Sequence, residues 1–260
     1  MTRTGRTYLH HLAIGTERWA HGYPALVQDL GGRWSLGGDQ GESAPCQLVY
    51  RDDMRMEIIS PGSAGGGFMR RFLDRTGPGP HHVTFKVPSL DAALARMAAL
   101  GVPTLGGREM PYMREAFLHP KKAGLGTLLQ LTEMDDDVTA GHHSAPPAGF
   151  PVDPPEPADM AWIGLTADSV EFAEALFGEV LGGDITESGA DWRLFSWGPQ
   201  RRLLVRRSPA EPGAARLWTV PSGVAHLAIG APDLSPSGVR DVRPRDYDPR
   251  LGLRIWSVGS

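Results

Sequence analysis

Apolar and polar side chains alternate along three short stretches of this chain, each opened by histidine. Gly77-Pro78-Gly79-Pro80-His81-His82-Val83-Thr84-Phe85-Lys86-Val87 runs from a Gly/Pro turn into a strand pattern. Successive side chains of a strand point to opposite faces. Val83, Phe85 and Val87 therefore share one face, and His82, Thr84 and Lys86 share the other. The apolar face suits packing on a helix, and the imidazole face needs a polar partner or a metal. The pattern recurs at Leu9-His10-His11-Leu12-Ala13-Ile14-Gly15 and at Val224-Ala225-His226-Leu227-Ala228-Ile229-Gly230, where His-Leu-Ala-Ile-Gly is repeated letter for letter. Recurrence of this kind signals a fold built from repeated modules.

Between these strands the period changes. Glu17 to Leu30 carries Trp19, Tyr23, Leu26, Val27 and Leu30 at helical spacing, with Pro24 as a second candidate start and Gly31-Gly32 as a stop. A short strand, Arg33 to Leu36, follows. Pro45 to Arg51 and Met54 to Ser60 read as a hairpin around Asp52-Asp53. The second unit has a strand from Pro80 to Val87 and a helix from an N-cap Ser89 to Gly101. Its later strands are Glu115 to His119 and Gly126 to Thr132. Asp135 to Ala158 is acidic, then rich in His, Pro and Gly; it reads as a linker, with His142-His143 solvated. The order then restarts: strand Ala161 to Thr166, helix Ser169 to Leu181, strands Trp192 to Trp197 and Arg202 to Arg207. Val224 to Ala231 is the fourth opening strand, Asp233 to Asp248 shows no helix, and Gly252 to Val258 closes the chain. The expected class is α+β, with repeated βαβββ modules forming two open, curved mixed sheets. Residues 1–135 form the first expected domain, 136–158 the linker and 159–260 the second domain.

Composition narrows the function. The 260 residues are 41% hydrophobic and 22% charged, an ordinary globular balance. A formal net charge of −4 gives no support for nucleic acid or a membrane surface as partner. The single cysteine, Cys46, rules out an internal disulfide and fits a reducing compartment. The start has no apolar run of signal-peptide length, and no run reaches the ~18 residues of a membrane helix. A cytoplasmic protein acting on a small molecule is expected, with a homodimer left open.

Strand alternation also locates candidate chemistry. His11 lies with Ala13 and Gly15, Glu57 with Arg55 and Ile59, His82 with Thr84, and Gln130 with Leu128 and Thr132. If the two N-terminal units pair pseudo-symmetrically, His11, Glu57, His82 and Gln130 meet. Two imidazoles, one carboxylate and one amide oxygen suit a divalent ion such as Mn, Co, Fe, Ni or Zn, with positions left open for substrate oxygens. His10, His81 and His119 read as structural or supporting residues.

Leu9 to Glu133 resembles the vicinal oxygen chelate (glyoxalase-like) superfamily, and within it the methylmalonyl-CoA epimerase-like proteins. The resemblance rests on Gly79-Pro80-His81-His82-Val83-Thr84-Phe85-Lys86-Val87, on Asp91-Ala92-Ala93-Leu94 with Gly101-Val102, and on Ala116-Phe117-Leu118-His119-Pro120-Lys121 before Gly126-Thr127-Leu128-Leu129-Gln130-Leu131. It implies a metal enzyme that binds two neighbouring oxygens and stabilises an enolate. The epimerases carry a metal-binding glutamate where this chain has Gln130, and a proton-moving glutamate at the position aligned with Gln47. Amides cannot take a proton, so Glu42, Glu109 and Glu115 become the candidate bases. Lys121 and Lys122 are candidates for a substrate carboxylate or CoA phosphate. In the second half Trp162 stands for His11, Val205 for Glu57 and Trp256 for Gln130, leaving only His226; that half is expected to hold no metal. The leading expectation is metal-dependent proton transfer at carbon by an epimerase, isomerase or lyase. The alternative is a non-catalytic binding protein of the bleomycin-resistance type. A ring-cleaving dioxygenase fits less well, because its metal normally sits in the C-terminal domain.

Overall fold

In the computed structural model, which describes residues 5–134, 145–208, 223–230, 236–237, 241–244 and 248–259, the histidine-led strands occupy the centre of two open mixed sheets. The first half supplies β1 (Tyr8–Gly15), β2 (Arg33–Gly37), β3 (Ser43–Val49), β4 (Arg55–Pro61), β5 (Gly79–Lys86), β6 (Thr104–Met110), β7 (Met113–Leu118) and β8 (Leu128–Met134). They pair in the order β2-β3-β4-β1-β5-β8-β7-β6. The second half supplies β9 (Met160–Ala167), β10 (Asp184–Ser188), β11 (Trp192–Ser196), β12 (Arg202–Arg207), β13 (Gly223–Ile229), β14 (Asp241–Pro244) and β15 (Ile255–Gly259), ordered β10-β11-β12-β9-β13-β15-β14. Each centre is an antiparallel pair, β1/β5 or β9/β13, flanked on both sides by parallel neighbours. The two four-strand modules of the first sheet are therefore related by a pseudo-twofold between β1 and β5. The fourth module is one strand shorter among the described residues.

Alternation sets the two faces. Leu12, Ile14, Met56, Ile58, Val83, Phe85, Leu129 and Leu131 enter the main apolar core. His11, Glu57, His82 and Gln130 face the other way, onto an open cavity. Three helical stretches cover the apolar side. The expected helix after β1 is a short 3-10 turn (Trp19–His21) followed by a π-helical stretch, Tyr23–Asp29, with Pro24 in its first turn. Tyr23, Leu26 and Val27 are its buried residues. Leu90–Ala99 is a regular helix, capped by Ser89 Oγ accepting from the Ala92 amide at 3.3 Å. Val170–Ala173 runs into a second π-helical stretch, Glu174–Val180, which spans the predicted Ser169 to Leu181 helix.

Four elements lie outside the sequence expectation, the short strand β14 among them. The strands β6 and β10 are largely exposed and carry no apolar alternation. The helix α1 (Gly67–Thr76) connects β4 to β5 across the cavity side. Its Met69 and Leu73 form a small cluster with Ala13 and Ile59, and Phe72 packs against it. A Cβ at position 15 would stand 2.6 Å from Phe72 Cε1, so Gly15 allows α1 to approach the sheet.

The halves share one core. Phe85 of β5 meets Phe177 and Trp197, with ring centroids 5.9 and 4.8 Å apart. Arg201 is almost fully buried and donates to the carbonyls of Leu9, Asp52 and Asp53, its guanidinium 4.6 Å above the Tyr8 ring. The described end of the predicted linker docks on the first half: Phe150 packs edge-on against Tyr23 and Trp34, and the Ala158 amide donates to Leu30 O at 2.9 Å. His142-His143 and most of Asp233 to Asp248 lie outside the described residues. No helix among the described residues is long and apolar enough to cross a membrane.

Candidate metal centre

The pairing register carries the ligands to one point. Ala13, two residues after His11, lies opposite Glu57 on β4, and Thr84, two residues after His82, lies opposite Gln130 on β8. Each opening strand also contains a β-bulge. The β1/β5 register slips at His10 and again at His81, so the extra residue no longer alternates. Both histidines of each pair therefore reach the cavity, whereas strict alternation sends His10 and His81 to the opposite face from their neighbours.

His11, Glu57 and His82, all buried, bring one donor atom each within 4.8 Å of one another. His11 Nε2 is 3.5 Å from Glu57 Oε2, and His82 Nε2 is 3.6 Å from the same oxygen. These separations are long for hydrogen bonds and match donors arranged around an ion at about 2.1 Å. His82 Nε2 is buried with no hydrogen-bond partner among the described residues, a state that is expensive for a polar atom. The Gln130 amide favours the charged form of His82 weakly but does not bond this atom. The donors present thus fit a divalent cation.

The remaining nitrogens are held by the neighbouring histidines. His10 Nδ1 lies 2.7 Å from His11 Nδ1, and His81 Nδ1 lies 2.8 Å from His82 Nδ1. Engaging Nδ1 orients each ring and leaves Nε2 toward the centre. Burial, with the neighbouring His11, holds the His10 pKa well below its ordinary value, and burial with His81 and His11 does the same for His82. Burial brings His81 down to about 4. Neutral imidazole is the form that can donate a lone pair to a metal. The Thr84 hydroxyl donates to Gln130 Oε1 at 2.6 Å and contacts His11 Nε2 at 2.9 Å. Gln130 is therefore a hydrogen-bonded neighbour of the three converging donors, with one carbonyl lone pair already taken.

Around this floor opens a cavity of about 860 Å³ with predominantly apolar walls that include Leu36, Ile59, Leu105, Phe117 and Met134. Glu115 also lines it; it is buried and accepts from Gln130 Nε2 at 2.7 Å through Oε2. Arg108 pairs with its other oxygen at 3.2 Å. Burial raises the Glu115 pKa, against the opposing charge of Arg108. Gln47 donates to Glu57 Oε1 at 3.4 Å and accepts from Arg55 at 3.3 Å. Arg55 is tied in turn to Asp53 and Ser35. Glu42 is exposed and does not line the cavity, and neither do Glu109, His119 or the exposed pair Lys121 and Lys122. Sequence reading passed over Phe68, Arg71, Phe72 and Arg75 of α1, which also line the cavity. The i, i+4 spacing of Phe68 and Phe72, and of Met69 and Leu73, was the available signal.

Residues 10–115 match the family model of the Glyoxalase/Bleomycin resistance protein/Dioxygenase superfamily. No curated protein matches the chain. Among solved structures, a hypothetical protein from Staphylococcus aureus is similar over 96% of this chain and 98% of its own, with a TM-score of 0.56 at 8% identity. Methylmalonyl-CoA epimerase from Mycobacterium tuberculosis is 24% identical, covering 54% of this chain and 97% of its own with a TM-score of 0.46. A hypothetical protein from Bacillus halodurans C-125 is 21% identical over 50% of this chain and 96% of its own, with a TM-score of 0.45. At these identities the likenesses concern the fold.

The second sheet repeats the backbone of the first and fills the centre. The β9/β13 register slips at the positions equivalent to His10 and His81. Trp162 stands at the place of His11 and His226 at that of His82, and the Trp162 indole Nε1 donates to His226 Nε2 at 3.0 Å. Gly164 is the close-approach point: a Cβ there would stand 2.2 Å from His226 Cε1. Trp256 lies opposite Ala228, as Gln130 lies opposite Thr84. The equivalent of Glu57 is Leu204 and not Val205. Leu204 pairs with Gly164, two residues after Trp162, while Val205 points into the apolar core as Ile58 does. Counting along the strand misses by one residue, which reverses the face.

Proposed function

We propose that this protein is a divalent-metal enzyme of the epimerase, isomerase or lyase class, moving a proton at carbon on a small substrate with two neighbouring oxygens. Residues 1–135 would be the metal-bearing domain, 136–158 the linker and 159–260 a domain without metal, in a cytoplasmic protein. The observation that carries the reading is the convergence of two imidazoles and one carboxylate on the floor of a wide cavity, with the buried His82 Nε2 unbonded. His11, Glu57 and His82 would hold Mn, Co, Fe, Ni or Zn. The bound ion would supply Lewis acidity to the oxygen pair. One carboxylate among neutral ligands leaves a net charge of about +1, which favours a developing enolate over its parent carbonyl.

The proton needs a base, and Glu115 is the carboxylate best supported for it. It lines the cavity and touches Gln130, and its pKa is raised by burial, which brings a carboxylate closer to the operating range of a general base. Gln47 keeps Glu57 oriented, and Arg108 holds the far oxygen of Glu115. The test is metal analysis of protein purified without added metal, then incubation with 2-oxo acids, 2-hydroxy ketones and malonyl-type thioesters in heavy water, read by NMR. Metal-dependent loss of an α-proton signal supports the reading. Metal-free protein that binds these compounds without exchange replaces it with the sequestering alternative.

A further inference from the structure

One wall of the cavity carries charge that the fold does not use. The helix α1 turns Met69 and Leu73 down onto the sheet. Phe68, Arg71, Phe72 and Arg75, at i, i+3, i+4 and i+7, turn toward the cavity and form one stripe of a helix. The adjacent Arg70 is neutralised: it is bidentate to Glu17 at 2.7 and 2.9 Å and bonds Asp74 at 2.9 Å. Arg71 and Arg75 have no carboxylate partner among the described residues. Like charges at i, i+4 repel on a helix, and the chain as a whole carries −4. Packing therefore does not call for this pair.

Its position relates it to the centre. Phe68 and Phe72 of the same stripe pack on His81, with ring centroids 5.7 and 4.7 Å apart, and His81 holds the ring of His82. The other cavity arginine, Arg108, is occupied by Glu115. The cavity walls are predominantly apolar, and Met110, Met113 and Met134 among them adapt readily to different shapes. The volume of about 860 Å³ is that of a site for a drug-sized ligand and is far larger than the smallest vicinal-oxygen compounds fill.

We propose that Arg71 and Arg75 form an anion subsite, so that the substrate is an elongated organic anion: two neighbouring oxygens at one end, an apolar body, and a carboxylate or phosphate ester at the other. The subsite rests on the proposed function in taking the same cavity as the substrate site. The test is calorimetric titration of the full chain with Mn²⁺ alone, and then, with Mn²⁺ present, with 2-oxooctanoate and with 2-oxohexanedioate, 2-oxooctanedioate and 2-oxodecanedioate. 8-Phosphooxy-2-oxooctanoate tests a phosphate terminus against a carboxylate. At least one distal anion binds roughly tenfold more tightly than 2-oxooctanoate, the scale of one charge-assisted hydrogen bond. The Arg71→Gln/Arg75→Gln variant loses that preference and keeps the wild-type affinities for Mn²⁺ and 2-oxooctanoate. Both side chains are exposed, so the variant keeps its thermal unfolding midpoint, and a double Lys variant recovers part of the preference. A wild type that does not discriminate, or a preference that survives the double Gln variant, overturns the subsite. Arginine-dependent preference without Mn²⁺ binding keeps the subsite and overturns the metal reading.

Discussion

His226 offers a direct test of how the second sheet fills its centre. The ring is 1% exposed and accepts the Trp162 indole N–H at Nε2. Burial, with a smaller contribution from Arg254, lowers its pKa from 6.5 to about 3. Protonation would place an N–H against an N–H. Between these two values the unfolded chain binds a proton that the folded chain does not, so stability falls as pH drops below 6.5 and levels off only near 3. One proton corresponds to about 1.4 kcal/mol per pH unit, so lowering pH from 7.5 to 5 removes about 2 kcal/mol through this residue. His226→Gln keeps an acceptor for the indole and removes the titration. Urea unfolding followed by tryptophan fluorescence across this range gives both curves. The stability gap between wild type and variant is expected to move by about 2 kcal/mol in the variant's favour toward acid; the other histidines cancel in the difference. Parallel curves would refute the claim that His226 is held neutral against the indole.

Four further outcomes are expected. His82→Ala and Glu57→Ala lose bound divalent metal on elemental analysis, while His226→Gln keeps the wild-type stoichiometry; unchanged metal in His82→Ala removes the site assignment. His10→Ala and His81→Ala retain the three donors but weaken Mn²⁺ binding by about 10–100-fold in calorimetry, the usual effect of removing a partner that orients a ligand. Glu115→Gln keeps the metal and lowers α-proton exchange by about 10²–10⁴-fold; in the wild type the acid limb of the exchange rate lies above the ordinary glutamate range, because burial raises this pKa. Arg201→Met leaves the carbonyls of Leu9, Asp52 and Asp53 without their donor and costs about 3 kcal/mol in urea unfolding.

Much of this was legible in the histidine-led strands. Because the repeat unit begins with a histidine and alternates afterwards, equivalent pairing of two copies carries His11, Glu57, His82 and Gln130 toward one point; the structure brings the donors of the first three within 4.8 Å of one another, with Gln130 lining the same cavity. Legibility ended where periodicity did. A β-bulge adds a residue without a compositional mark, so the joint inward turn of His10-His11 and His81-His82 could not be counted off; Leu204 at the place of Glu57 is fixed by the β9/β12 register, which neither strand spells out alone. Glu115 belongs to a strand whose outer neighbour β6 is mostly exposed, so nothing local distinguished it from Glu42. The helix α1 is short and lies among glycines, and its apolar pairs were hidden beside four charged residues.

The contrast between the two sheets bears most directly on the metal. Both have a bulged antiparallel pair at the centre, parallel flanking strands and a histidine at the same place. In the second sheet the Nε2 lone pair of that histidine is used by an indole N–H from its own chain. In the first, Nε2 of the equivalent His82 is equally buried and has no such donor among the described residues, and a carboxylate oxygen stands 3.6 Å away where the second sheet has the apolar Leu204. A buried lone pair beside a buried carboxylate calls for a positive partner, since neither group is stable there alone. A proton shared between His82 and Glu57 is opposed by the burial that keeps the imidazole neutral. A divalent cation meets both demands with neutral histidines. A protein donor completes one site, and on the proposed reading an ion from outside the chain completes the other.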